Sequence, residues 1–151
     1  MSDFYTITPA IDGRIIAKNE HAMCFLALMP IVPGHVLIAP LRPVKLFSDM
    51  NAEETKAIFE LMGNVKEALK VAFGARGFNH AWNEESIAGQ TVDHFHLHVL
   101  PRKAGDSGIT TYEPRDFLYR NMPVEDRPAS PQEEMDEVVL LIRNAMTPPK
   151  R

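Results

Sequence analysis

The sequence predicts an α+β domain: a mainly antiparallel sheet with one long helix packed on it and a second helix near the C-terminal end. Three observations carry that expectation. Apolar runs of strand length, broken by short turn-rich segments, fill the first forty residues. Residues 51–73 repeat apolar side chains at helical spacing. Two more strand-like runs follow, so strands stand on both sides of the helix with hairpin-length links.

Taken in order, Asp12-Gly13 reads as a turn leading into the strand RIIAKN, residues 14–19. AMCFLAL, 22–28, is almost continuously apolar, as in a strand covered on both faces. Met29-Pro30-Ile31-Val32-Pro33-Gly34 breaks it, and HVLIAP, 35–40, is the next strand. Asn51 is placed to cap the long helix, with Glu54 three residues on as in a capping box. Ile58, Leu61, Met62, Val65, Leu69 and Phe73 form one buried stripe, and Gly74 ends the helix. GFNHAWN (77–83) and HFHLHVLP (94–101) are strands around the polar loop EESIAGQTVD. Residues 103–130 show no strong period and read as a long loop or flap. Ser130-Pro131-Gln132-Glu133 starts the last helix, with Ser130 as cap and Pro131 at the first helical position, and the helix runs to about Ala145.

The length fits a single domain, residues 1–151, with a frayed tail from about residue 146. A net charge of −4 gives no basic field for a nucleic-acid polymer. Cys24 is the sole cysteine, set among apolar residues; it reads as a small core side chain in a reducing compartment. No apolar run approaches the ~20 residues that span a bilayer. The first ten residues lack a charged stretch followed by an apolar one. A cytoplasmic protein without a membrane partner is the expectation.

The chemistry concentrates in GQTVDHFHLHVLPR, residues 89–102. On a strand, His94, His96 and His98 share one face, ~6.6 Å apart, while Phe95, Leu97 and Val99 share the core face. Two chemistries fit three imidazoles so placed. One is metal binding by two of them plus His35 or His80, since the outer two lie ~13 Å apart and do not converge on one ion. The other is nucleophilic catalysis. A neutral imidazole whose tautomer is fixed by a carbonyl or a neighbouring histidine keeps one lone pair free. The middle residue, His96, is then the natural nucleophile, with His94 and His98 as supports. Donors in the Gly89-Gln90-Thr91 turn suit an anion such as a phosphate.

The run His94-Phe-His96-Leu-His98-Val-Leu resembles the signature of the histidine triad family, in which three histidines alternate with apolar residues. Pro33-Gly34-His35-Val36-Leu37-Ile38-Ala39-Pro40-Leu41-Arg42-Pro43 and Pro101-Arg102-Lys103-Ala104-Gly105-Asp106 are similar to the fragile histidine triad branch. The resemblance covers roughly residues 20–145. It implies a dinucleoside polyphosphate hydrolase of the diadenosine tri- or tetraphosphate class. His96 attacks the α-phosphorus, and water hydrolyses the nucleotidyl-histidine. His98 hydrogen-bonds to the phosphate or the leaving oxygen, His94 orients, and His35 supports the cluster. Gln90 and the backbone of Gly89, Gln90, Thr91 and Val92 hold phosphate oxygens, with Asn83 near the phosphate and ribose. The resemblance further implies a homodimer with joined sheets, no tightly bound cofactor or protein-bound metal, and a divalent cation, Mg or Mn, carried on the substrate. A phosphoramidase of the Hint branch and a nucleotide-binding signalling module are the alternatives.

Two departures from the family pattern stand out. Glu84 and Glu85 occupy a segment where many relatives carry glycine, and Ala27 stands where a polar residue commonly meets the ribose. Elsewhere, Trp82 reads as core, and His21 and His80 as structural. Arg102 and Lys103 are placed either to steer phosphate or to be solvated. Tyr112 and Tyr119 belong to the long loop and are placed either to cover substrate or simply to lie on its surface.

Overall fold

The computed structural model describes residues 3–4, 11–106 and 130–146. Five strands form its sheet: β1 (Ile15–Lys18), β2 (Ala22–Leu26), β3 (Val36–Pro40), β4 (Gly77–Ala81) and β5 (Leu97–Arg102). Their order is β1-β2-β3-β5-β4, and every neighbouring pair is antiparallel. Among the described residues the α-helices α1 (Ile11–Arg14), α2 (Ala52–Phe73) and α3 (Gln132–Ala145) accompany them. This is the α+β architecture expected.

The sheet is covered on both faces, which is why all five residues of β2 are buried. On one face Ala22, Cys24, Leu26, Val36, Ile38, Leu97 and Val99 meet the stripe Ile58, Leu61, Val65 and Leu69 of α2 and Met135, Val139 and Ile142 of α3. Each fully buried aliphatic side chain of this layer contributes about 1.5–3 kcal/mol. On the other face Met23, Phe25, Leu37 and Ala39 pack under Phe4 and Ile11. Helix α2 starts and stops as read. The Asn51 side chain accepts from the Glu54 amide at 2.8 Å, the Asn51 amide donates to the Glu54 carboxylate at 3.0 Å, and Gly74 ends the helix at φ 68°.

Three local expectations are corrected. Asp12 and Gly13 lie in the short helix α1 rather than a turn. Pro131, not Ser130, takes the cap position of α3, with no side-chain cap; the Ser130 amide donates instead to Leu28 O. The third correction matters most. The strand carrying the histidines begins at Leu97, so His94 and His96 precede it. The β3–β5 ladder starts at Ile38↔Leu97. Two positions further along β3 is Pro40, which has no N–H, and its carbonyl accepts from the His94 ring at 2.7 Å. The Phe95 amide turns to Val44 O at 2.6 Å. The side chains still alternate: Phe95, Leu97 and Val99 enter the helix-side core.

Candidate active site

His96 sits at the centre of the histidine run with 8 % of its surface exposed. Its Nδ1 lies 2.9 Å from the backbone carbonyl of His94. A carbonyl only accepts, so Nδ1 carries the proton and the lone pair resides on Nε2. Burial pushes the imidazole down to about 4, helped by the nearby His94 and opposed by the bond to the His94 carbonyl. The ring is therefore neutral and nucleophilic at pH 7.

His94 is fully buried and faces the other way chemically. Its Nε2 donates to Pro40 O, and its Nδ1 accepts the Phe4 amide at 3.4 Å. The Phe4 ring lies 5.2 Å from the His94 ring and 5.0 Å, edge to face, from the His96 ring. Burial lowers the basicity of His94 as well. The His94 carbonyl thus meets the His96 ring, while the His94 imidazole fastens the segment to the end of β3.

His98 and His35 form a second pair. The His35 Nδ1 accepts the Ile31 amide at 3.1 Å, which leaves the proton on Nε2. That Nε2 stands 2.9 Å from His98 Nδ1 and donates to it. The remaining proton of neutral His98 is consequently on its Nε2. Burial, then the neighbouring His96 and His35, hold His98 well below the usual histidine range. The His96 and His98 rings are 5.0 Å apart. The pair presents one bare nitrogen beside one N–H, fixed by backbone groups at both ends. Gly34 makes this possible. Its φ is 85°, and an added Cβ would meet the Phe73 ring at 3.0 Å and Pro101 at 3.1 Å.

The loop ahead of the histidines is braced by residues 44–47. Gln90 is buried, with its Nε2 donating to Lys45 O at 2.9 Å and its Oε1 accepting the Glu85 amide at 2.8 Å. Its amide therefore shapes the loop, one N–H being left over for any ligand. Asn83 is partly buried, and its Nδ2 reaches Gly89 O at 3.4 Å. Gly89 has φ 96° and bends the chain; Thr91 is exposed and Val92 half-buried against the Phe4 side of the sheet. Glu84 and Glu85 are engaged with residues 45–47: the Glu84 carboxylate accepts the Phe47 amide at 2.9 Å, and Glu85 pairs with Lys45 at 2.8 Å. Glu85 has φ 73° and ψ 153°, the only non-glycine positive φ among the described residues. That region is essentially reserved for glycine and costs another residue about 1–3 kcal/mol.

Other expected residues fall outside the cluster. Trp82 is 42 % exposed and stacks on Phe47 at 5.9 Å, against Phe95, so it is not core. Arg102 pairs with Asp106 at 2.8 Å and Asn79 at 2.8 Å, and Lys103 is exposed. His21 and His80 are remote from the cluster in their contacts: His21 lies 3.8 Å from Glu20, and His80 beside Phe78. Ala27 is buried and offers no side-chain hydrogen bond. Cys24 is a buried core thiol, as expected. Tyr112, Tyr119 and most of the 103–130 loop lie outside the described residues. Among the described residues no group of three or more His, Cys, Asp or Glu is placed to hold a metal ion, and no helix is long and apolar enough to cross a membrane. The reading by sequence missed Phe4, the Pro40 carbonyl and the 44–47 brace. No local pattern marks them, because their roles arise only from tertiary proximity.

Comparison with known proteins agrees with this geometry. The family model for the HIT domain matches residues 8–105. Bis(5'-adenosyl)-triphosphatase of Dictyostelium discoideum is 32% identical over 125 residues, 83% of this chain and 80% of that protein. An uncharacterized HIT-like protein of Mycoplasma genitalium is 39% identical over 100 residues, 66% of this chain and 71% of that protein. Among solved structures, diadenosine triphosphate hydrolase of Plasmodium falciparum, in complex with cyclomarin A, superposes with a TM-score of 0.69 at 26% identity. It covers 87% of this chain and 75% of that one. The fold, the three spaced histidines and these matches together establish that the chain belongs to the HIT domain family.

Proposed function

We propose that the protein is a nucleotide hydrolase that cleaves dinucleoside polyphosphates of the diadenosine tri- or tetraphosphate class through a nucleotidyl group carried on His96. One observation carries the reading: His96 holds its proton on Nδ1 against the His94 carbonyl at 2.9 Å, leaving Nε2 bare next to His98. The relatives named as bis(5'-adenosyl)-triphosphatase and diadenosine triphosphate hydrolase support the substrate class.

In the first step Nε2 of His96 bonds to the α-phosphorus, and the bond from phosphorus to the bridging oxygen breaks. The electron pair leaves with that oxygen on a nucleoside di- or triphosphate, where the Nε2–H of His98 stabilises it. The His96 ring becomes cationic, and its Nδ1–H bond to the His94 carbonyl strengthens as a charge-assisted bond. Water then attacks phosphorus, the P–N bond breaks with its electron pair returning to Nε2 of His96, the surplus proton of the water passes to solvent, and a mononucleotide departs with His96 neutral again. Splitting one displacement in two is ordinary covalent catalysis. Backbone groups of Gly89, Gln90, Thr91 and Val92, with Asn83, face the phosphates in this reading, a divalent cation travels with the polyphosphate, and the working form is a cytoplasmic homodimer with joined sheets.

The test is turnover of diadenosine triphosphate, diadenosine tetraphosphate and an adenosine phosphoramidate by wild type and His96→Asn, with mass spectrometry of a rapidly quenched mixture. The expected result is dinucleotide cleavage by wild type, loss by orders of magnitude in the variant, and an adenylyl adduct on the peptide holding His96. Normal turnover by His96→Asn removes the nucleophile assignment. Preference for the phosphoramidate replaces the substrate class.

A further inference from the structure

We propose that Glu85 is a positioning residue, resting on the reading that residues 89–92 hold phosphate. Its ion pair with Lys45 locks a glycine-like backbone turn that sets this loop. The main chain of Glu85 is the hub of the loop. Its amide donates to Gln90 Oε1 at 2.8 Å, and its carbonyl accepts the amides of Ala88 at 3.0 Å and Gln90 at 3.1 Å. All three bonds are made with residue 85 at φ 73°, a conformation that is strained for a residue with a Cβ.

The hold comes from the side chain. The Glu85 carboxylate meets Lys45 Nζ at 2.8 Å, and the same ammonium lies 4.0 Å from Asp93, one residue before the histidine run. Lys45 also contributes its carbonyl to Gln90, while the neighbouring Val44 carbonyl takes the Phe95 amide. One lysine therefore ties both ends of the 85–93 segment. The arrangement also sets the Glu85 charge against Lys45.

The carboxylate acts here only by holding the backbone. Glycine adopts φ 73° without a hold, whereas alanine has the strain and lacks the ion pair. Glu85→Ala, Glu85→Gly and Lys45→Met are compared with wild type in kcat and KM for diadenosine triphosphate. Melting temperature and hydrogen exchange of the amides of residues 85–92 are measured alongside. The expected result is a roughly tenfold loss of kcat in Glu85→Ala and Lys45→Met with KM changed little, faster exchange at Gln90, and recovery of most of both losses in Glu85→Gly. Wild-type kcat in Glu85→Ala, or an equal loss in Glu85→Gly, overturns the proposal. A wild type that cleaves no nucleotide sinks the hydrolase reading. Exchange then decides the role of Glu85 by itself: equal rates in the alanine and glycine variants refute it.

Discussion

Acidifying an assay from about pH 8 to about pH 5.5 separates a buried His96 from an ordinary histidine. With an unperturbed value near 6.5, only about one imidazole in ten stays neutral at pH 5.5, and a rate that depends on it falls about tenfold. His96 is pushed down to about 4 by burial, so it stays almost wholly neutral there. The acid limb of kcat/KM for diadenosine triphosphate is accordingly expected well below pH 5.5. Stability moves the opposite way. The unfolded chain binds a proton near pH 6.5 that the folded site refuses. The stability contributed by His96 is complete above pH 6.5 and is lost as the pH falls from 6.5 towards 4. A displacement from 6.5 to about 4 corresponds to roughly 3 kcal/mol in all, of which about 1 kcal/mol is gone by pH 5.5. The melting temperature then drops by about 2–4 °C over that range from this group. His94 and His98, also lowered by burial, add in the same direction. An activity limb centred near 6.5 in protein that remains folded would refute a desolvated, neutral nucleophile.

Two substitutions test the supports of the site. His35→Ala removes the donor to His98 Nδ1 and leaves the Ile31 amide without its acceptor. It is expected to lower kcat by about 10–100-fold through the misplaced proton on His98, in line with acid–base effects of that size, and to cost about 1–3 kcal/mol in urea denaturation; unchanged kcat removes the relay. Gly34→Ala forces a Cβ to within 3.0 Å of the Phe73 ring at φ 85°. It is expected to destabilise by about 1–3 kcal/mol and to displace His35, read as a lower melting temperature together with lower kcat. A neutral outcome in both readouts removes the argument for glycine there.

Much of the fold was legible because its signals are local. The Asn51–Glu54 box, the Ile58–Leu69 stripe and Gly74 each act within a turn or two of helix, and all three are found as read. The two-sided burial of β2 followed from its unbroken apolar run. The histidine run was legible as chemistry but not as geometry. Strand alternation put its side chains on the right face, yet the ladder stops short of His94 and His96 because Pro40 ends the pairing partner. Trp82 misled because the edge strand stops at Ala81, so the indole leaves the sheet and packs on a neighbouring ring instead of in the core. Gln90 looked like a ligand group, and its amide is mostly consumed by Lys45 and Glu85, partners forty-five and five residues away.

The contact between Phe4 and the rings of His94 and His96 spans ninety positions of the chain. The low proton affinity of His96 is therefore a property of the assembled molecule and of no shorter fragment. Loss of the Phe4 ring from this contact is expected to readmit water to the imidazole and raise its basicity. The seating of one phenyl ring thus bears on the charge state of an imidazole far along the chain. The truncation Phe4→Ala is expected to move the acid limb of kcat/KM towards pH 6.5 and to lower the melting temperature with it, because the same ring is buried against Phe25.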